Sequence, residues 1–186
     1  MKGIAMEKCM PIHKRDLLGA LKIAGEYLPG YSADEIAAMY REYPTAAVGY
    51  YIDGRLIGFC FGRPSGKNHF QLCGIAIVSP NNQCGRGGKL LKAFEENAAA
   101  LGYGTVSLGS AGGYVERFYI KNGYTPVEFK VLSRKLPEGC NMDRVETEGT
   151  DYKLVKIIGD YSSLNREEII QRCKGYHSFI VFEKRL

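Results

Sequence analysis

The chain is 186 residues long, 45% hydrophobic and 24% charged, with a formal net charge of +5. That is the make-up of one globular domain, large enough to bury a core without metal or disulfide support. No apolar run is long enough to span a bilayer, and the first residues lack a signal-peptide pattern, so the expected compartment is the cytoplasm and no membrane partner is expected. The basic residues are dispersed rather than gathered into a stripe. This argues against a nucleic-acid partner and suits an anionic ligand carrying several phosphates. Six cysteines (Cys9, Cys60, Cys73, Cys84, Cys140, Cys173) lie far apart with no C-x-x-C, and no histidine has a second ligand at metal spacing. Reduced, structural thiols and no metal are expected.

Residues 13–28 place Leu17, Leu18, Leu21, Ile23, Ala24 and Leu28 near helical period and predict a first helix ending at Pro29-Gly30. Ser32 with Glu35 three positions on is a capping-box signature for a second helix, which carries Ile36, Met39 and Tyr40 on one face and stops at Pro44. Two aromatic-rich runs joined by Asp53-Gly54 predict a hairpin. A strand is expected over 69–78, halted by Ser79-Pro80, then a helix over 89–99 with Leu90, Leu91, Phe94 and Ala98 inward and Gly102 as its stop. A short strand at 105–108, a GSAGG loop, a short helix around Val115, Phe118 and Tyr119, and a strand over 126–136 follow. Residues 137–151 read as a polar loop. Beyond it, 152–158 and 178–182 read as strands and 165–174 as a helix, all ordered parts of the fold. The alternation predicts a mixed α/β sheet flanked by helices.

The chemistry concentrates in VSPNNQCGRGGKLLKAFEENA, where a strand, a short polar loop and a helix meet inside glycines. Gly85, Gly87 and Gly88 let backbone N–H groups reach a ligand unobstructed, and the first turn of a helix has unpaired amides and a positive dipole. The combination suits a phosphate or pyrophosphate, with Arg86 able to add charge. A P-loop is excluded, because Gln83 replaces its first glycine and Leu90 its Ser or Thr. A dinucleotide fingerprint fails too, since Leu90 holds its third glycine position.

The segment resembles the pyrophosphate loop of the GNAT superfamily of N-acetyltransferases, [QR]-x-x-G-x-[GA], with Asn82, Gln83, Cys84, Gly85, Arg86 and Gly87 in register and Gly88-Lys89-Leu90-Leu91 opening the helix. A second stretch, RFYIKNGYTPVEF, is similar to the family's aromatic-Tyr pair, helix stop and Gly-aromatic, with Phe118-Tyr119 and Gly123-Tyr124. Asn82 stands where the family has Arg or Gln, and Gly112 stands where many members have Asn. The resemblance implies an acyl-CoA N-acyltransferase fold with a mostly antiparallel sheet and helices on both faces. Residues 1–135 would be the core, and 136–186 would complete or extend the same domain.

Its implied chemistry is acetyl transfer from acetyl-CoA to a primary amine in a ternary complex. The donor would lie on Ile77, Val78, Asn82, Gln83, Cys84, Gly85, Arg86, Gly87 and Gly88, with amides near Ile77 and Val78 holding the thioester carbonyl and pantetheine. Tyr119 is the implied general acid for the departing sulfur. The expected core face of its helix is Val115 and Phe118, which would leave the Tyr119 hydroxyl free to turn toward the cofactor. The base stays open among His69, Glu116, Glu42 and Glu26, since the strand before the loop has no carboxylate. A small-molecule or peptide amine is the expected acceptor, and a homodimer across a sheet edge is compatible. The alternative is a non-catalytic acyl-CoA-binding module with the same fold.

Overall fold

The computed structural model describes residues 5–28, 30–78, 85–110, 114–133, 144–146, 153–157, 167, 170–171 and 175–186. It opens with a strand, β1 (Glu7–Pro11), that the sequence pattern does not announce. Glu-Lys-Cys-Met-Pro offers no clean alternation. The strand forms because its backbone pairs antiparallel with β2 (Val48–Ile52), from Glu7↔Ile52 to Pro11↔Val48.

A 3-10 turn at Lys14–Asp16 precedes α1 (Leu17–Tyr27), which therefore starts later than the pattern suggests. The buried stripe of α1 is Ala20, Ile23 and Ala24, and Leu18, one of the apolar positions near helical period, is 80% exposed. At about 100° per residue Leu18 falls outside that stripe. The capping box of α2 (Ala33–Glu42) is formed as expected: Glu35 N–H donates to Ser32 Oγ at 3.2 Å, and Ser32 N–H donates to the Glu35 carboxylate at 2.8 Å. Ile36 is its buried anchor.

Strand β2 turns into β3 (Arg55–Pro64) through Asp53 and Gly54, with φ of 49° and 78°. Two consecutive positive φ angles match the right-handed twist of the flanking strands, which is why Asp-Gly forms this turn. Strand β4 (His69–Ile77) pairs antiparallel with β3, and α3 (Arg86–Ala100) follows.

Alternation along β3 sorts the helices. Phe59 and Phe61 join Ala20, Ile23, Ala24 and Ile36 in one core cluster. Cys60 faces the other way and donates its thiol to the Leu90 carbonyl of α3 at 3.9 Å. Thus α1 and α2 cover one face of β3 and α3 covers the other. Leu90, Leu91 and Phe94 are fully buried, as their spacing predicts.

The remaining elements are β5 (Thr105–Ser110), α4 (Tyr114–Lys121), β6 (Thr125–Ser133), β7 (Arg144–Glu146), β8 (Lys153–Ile157) and β9 (Gly175–Arg185). Their strand order is β5-β9-β6-β8-β7, with β6 antiparallel to both β8 and β9. Strand β7 corrects the expected loop over 137–151: Arg144–Glu146 pairs antiparallel with β8, a segment too short to show periodicity. The C-terminal strand β9 is longer than 178–182 and is an inner strand, with Ile180 and Phe182 buried. The helix expected over 165–174 lies largely outside the described residues. The chain divides into two compact units, residues 1–106 with 185–186, and residues 107–184. The architecture is mixed α/β with a mostly antiparallel sheet.

Candidate donor-binding site

Gly85 is the N-cap of α3, in the left-handed region at φ 73°, and as a glycine it offers the helix no side-chain cap of its own. The first turn also contains no acidic residue. The first-turn amides have no partners within the helix itself, and the positive end of the helix dipole lies behind them. A Cβ at Gly85 would meet none of the described residues within 4 Å. Gly85, Arg86, Gly87 and Gly88 come together in this turn, and the donor set fits an anion of pyrophosphate type. Asn82, Gln83 and Cys84 lie outside the described residues.

The side chain of Arg86 is engaged elsewhere. Its Nε and Nη2 donate to Glu7 Oε1 at 3.0 and 2.8 Å. Lys89 Nζ and the Tyr50 hydroxyl donate to Glu7 Oε2 at 2.8 and 2.6 Å. The Lys89, Tyr50 and Arg86 hydrogen bonds hold the Glu7 carboxyl down to about 2. Burial, then the Glu7 carboxylate, pushes the Tyr50 phenol up. Sequence reasoning missed Glu7 because its partners stand far away in the chain and β1 was not legible.

At the end of β4, Gly58 and Ile77 face each other, and Val78 N–H donates to the Ile57 carbonyl at 2.8 Å. The Val78 amide is thus committed within the sheet. By the alternation of an antiparallel ladder, the Ile77 N–H points away from β3. Of the two amides expected near the thioester, only that of Ile77 is aimed off this pairing.

Tyr119 belongs to the second unit. It is buried, 6% exposed, with its ring centroid 5.2 Å from Phe118, 5.7 Å from Tyr124 and 5.9 Å from Phe182. Among the described side chains of α4, Glu116 and Tyr119 are buried, while Val115 and Phe118 are half-buried. This corrects the expectation that Val115 and Phe118 form the core face. Apolar type suggested the wrong stripe, because a buried glutamate takes a core position one turn before the tyrosine.

The sequence model of the acetyltransferase (GNAT) family matches residues 13–124, more than half of the chain. The chain belongs to the GNAT family. It is therefore an acetyl-CoA-dependent acyltransferase. Nothing among the curated proteins matches it. Among solved structures it is similar in fold to Ard1 from Thermoplasma volcanium, at 18% identity and a TM-score of 0.61 over 83% of this chain and 99% of that one. It is likewise similar to the ribosomal-protein-alanine N-acetyltransferase of Brucella melitensis, at 10% identity and a TM-score of 0.62 over 96% and 99%. Arabidopsis thaliana Naa50, solved with the bisubstrate analogue CoA-Ac-MVNAL, aligns at 13% identity and a TM-score of 0.58 over 82% and 99%.

In this GNAT chain a cleft of about 380 Å³ opens between α2 and the end of β3, lined by Tyr31, Glu35, Met39, Glu42, Tyr43 and Arg63 among others. Burial, followed by the Cys73 thiol, pushes the Tyr31 phenol up to about 12. Glu42, one of the base candidates, lines the cleft; Glu26 is exposed on α1. His69 opens β4 half-buried, and Glu116 is buried on α4. Among the described residues no group of three or more His, Cys, Asp or Glu side chains could hold a metal ion, and no helix is long and apolar enough to cross a membrane.

Proposed function

We propose that this chain moves the acetyl group of acetyl-CoA to a primary amine, with the α-amine of a peptide as its preferred acceptor and small amines as lesser ones. The observation that carries the donor half is the glycine turn at the start of α3, with Gly85 left-handed at its N-cap, inside the stretch that matches the family. CoA binds there as a substrate. Its pyrophosphate takes backbone N–H groups of residues 85–88, with Asn82, Gln83 and Cys84 completing the loop. The Ile77 N–H takes the pantetheine or the thioester carbonyl, where charge develops on oxygen.

The transfer is direct. The neutral amine attacks the thioester carbonyl, the C–S bond breaks, and the sulfur leaves with the electron pair. Tyr119 gives its phenolic proton to that sulfur and is reprotonated from solvent, while the amine's extra proton passes to water. Residues 1–135 form the reacting core and 136–186 complete or extend the same domain, in a cytoplasmic enzyme.

The acceptor preference follows from acid–base chemistry. Strand β4, His-Phe-Gln-Leu-Cys-Gly-Ile-Ala-Ile, carries no carboxylate to strip a proton. A lysine-like amine with a pKa of about 10.4 arrives almost wholly protonated, whereas an α-amine near roughly 7.7–8.0 arrives partly neutral. A site without a strand base favours the second. The peptide-bearing analogue bound to Naa50 is of the same chemical class.

The test is release of free CoA thiol from acetyl-CoA across a panel of short peptides, N-blocked lysine peptides and small amines. Peptides with free α-amines should turn over fastest near neutral pH. No amine-dependent release from any of them would overturn the proposal.

A further inference from the structure

The first turn of α3 contains two adjacent glycines, Gly87 and Gly88, flanked by Arg86 and Lys89. Glycine costs a helix about 1 kcal/mol relative to alanine, because it loses the most backbone freedom. A first turn built on two of them frays unless something outside the helix holds it. Downstream, Leu90 and Leu91 are fully buried and fix the helix body, so only residues 86–89 depend on such a tether.

The tether is present, and it brackets the glycines. Glu7 on β1 takes Arg86 through Oε1 and Lys89 through Oε2, while Tyr50 on β2, itself 1% exposed, anchors the same carboxylate to the sheet. The arrangement also corrects an electrostatic mismatch. Two cations in a first turn oppose the helix dipole, and the helix has no acidic residue of its own there. Glu7 supplies that negative charge from another strand. It does so through the side chains of Arg86 and Lys89 rather than through the amides of the turn.

We infer that Glu7 is a positioning residue for the donor site: it holds the glycine turn of α3 in the shape that receives the CoA pyrophosphate. The inference rests on the donor-site reading above. A turn ordered before the ligand arrives spares the ligand the cost of ordering it, so the benefit belongs to donor binding and not to the chemical step.

The test compares wild type with Glu7→Gln in the intact protein, by calorimetric CoA binding, steady-state kinetics and hydrogen exchange at residues 86–89. Glu7→Gln keeps the size of the side chain and a hydrogen bond to Tyr50, but loses the charge that binds both cations. The expected result is CoA binding weaker by about tenfold, a matching rise in KM for acetyl-CoA, kcat within about twofold at saturating donor, and faster exchange confined to the first turn. Charge alone predicts the opposite sign, since removing a carboxylate beside an anion site should tighten CoA. Binding that tightens or stays unchanged, with normal wild-type affinity, overturns the positioning role alone. A fall in kcat with KM unchanged also overturns it. Failure of the wild type to bind CoA removes the donor-site reading and this inference together, while the exchange measurement without ligand still reports whether Glu7 holds the turn.

Discussion

Tyr119 of α4 packs against Phe182 of β9 with ring centroids 5.9 Å apart, so the last strand of the chain helps to hold the residue proposed as the acid. Phe182 is fully buried, and β9 lies between β5 and β6. Phe182→Ala should cost about 3–5 kcal/mol, the usual range for deleting a buried phenylalanine ring. Chemical denaturation followed by circular dichroism measures this. A loss below about 1 kcal/mol would mean that β9 is peripheral.

A second outcome concerns acid. Hydrogen bonds from Lys89, Tyr50 and Arg86 lower the Glu7 carboxyl from 4.5 to about 2. A carboxyl depressed in the folded state stabilises the protein fully above its unfolded value and loses that contribution as pH falls through its folded value. The difference in Tm between wild type and Glu7→Gln should therefore be constant above about pH 4.5 and shrink toward pH 2. A difference that does not change across this window would show that the carboxylate is not so held.

The sequence exposed what local chemistry determines. Asp53-Gly54, Ser32 with Glu35, and the stripe of Leu90, Leu91 and Phe94 each encode their structure within a few residues. Positive φ at Gly102 and Gly123 ends α3 and α4 where glycine was expected to do so. What was not legible depends on partners distant in the chain. Strand β1 exists only through β2, β7 only through β8, and the role of Glu7 only through a helix that begins at Arg86. On α4 the apolar residues suggested one stripe, while burial of Glu116 beside Tyr119 selects another. At the candidate donor site, the start of a helix inside the glycines was legible from the sequence. That the Val78 amide is already used by Ile57 was not, because ladder partners are a tertiary fact.

The glycine turn makes its own prediction. Gly87→Val places a β-branched side chain between the backbone amides and a pyrophosphate. Wild type should gain on the order of 2.7 kcal/mol of stability at a hundredfold excess of CoA over its Kd, and the variant should gain almost none. Differential scanning fluorimetry with and without CoA reads this directly. A full thermal shift in Gly87→Val would place the donor elsewhere.

The most direct test of the account is Tyr119→Phe, assayed for CoA thiol release at saturating acetyl-CoA and amine, alongside CoA affinity and melting. Removing only the hydroxyl keeps the ring against Tyr124 and Phe182 while deleting the proton for the departing sulfur. Turnover should fall by about 10²- to 10⁴-fold with CoA affinity nearly unchanged. A purely structural tyrosine would instead lose about 1 kcal/mol of stability and keep its turnover. Unchanged turnover with a lowered melting temperature would contradict the assignment of Tyr119 as the acid.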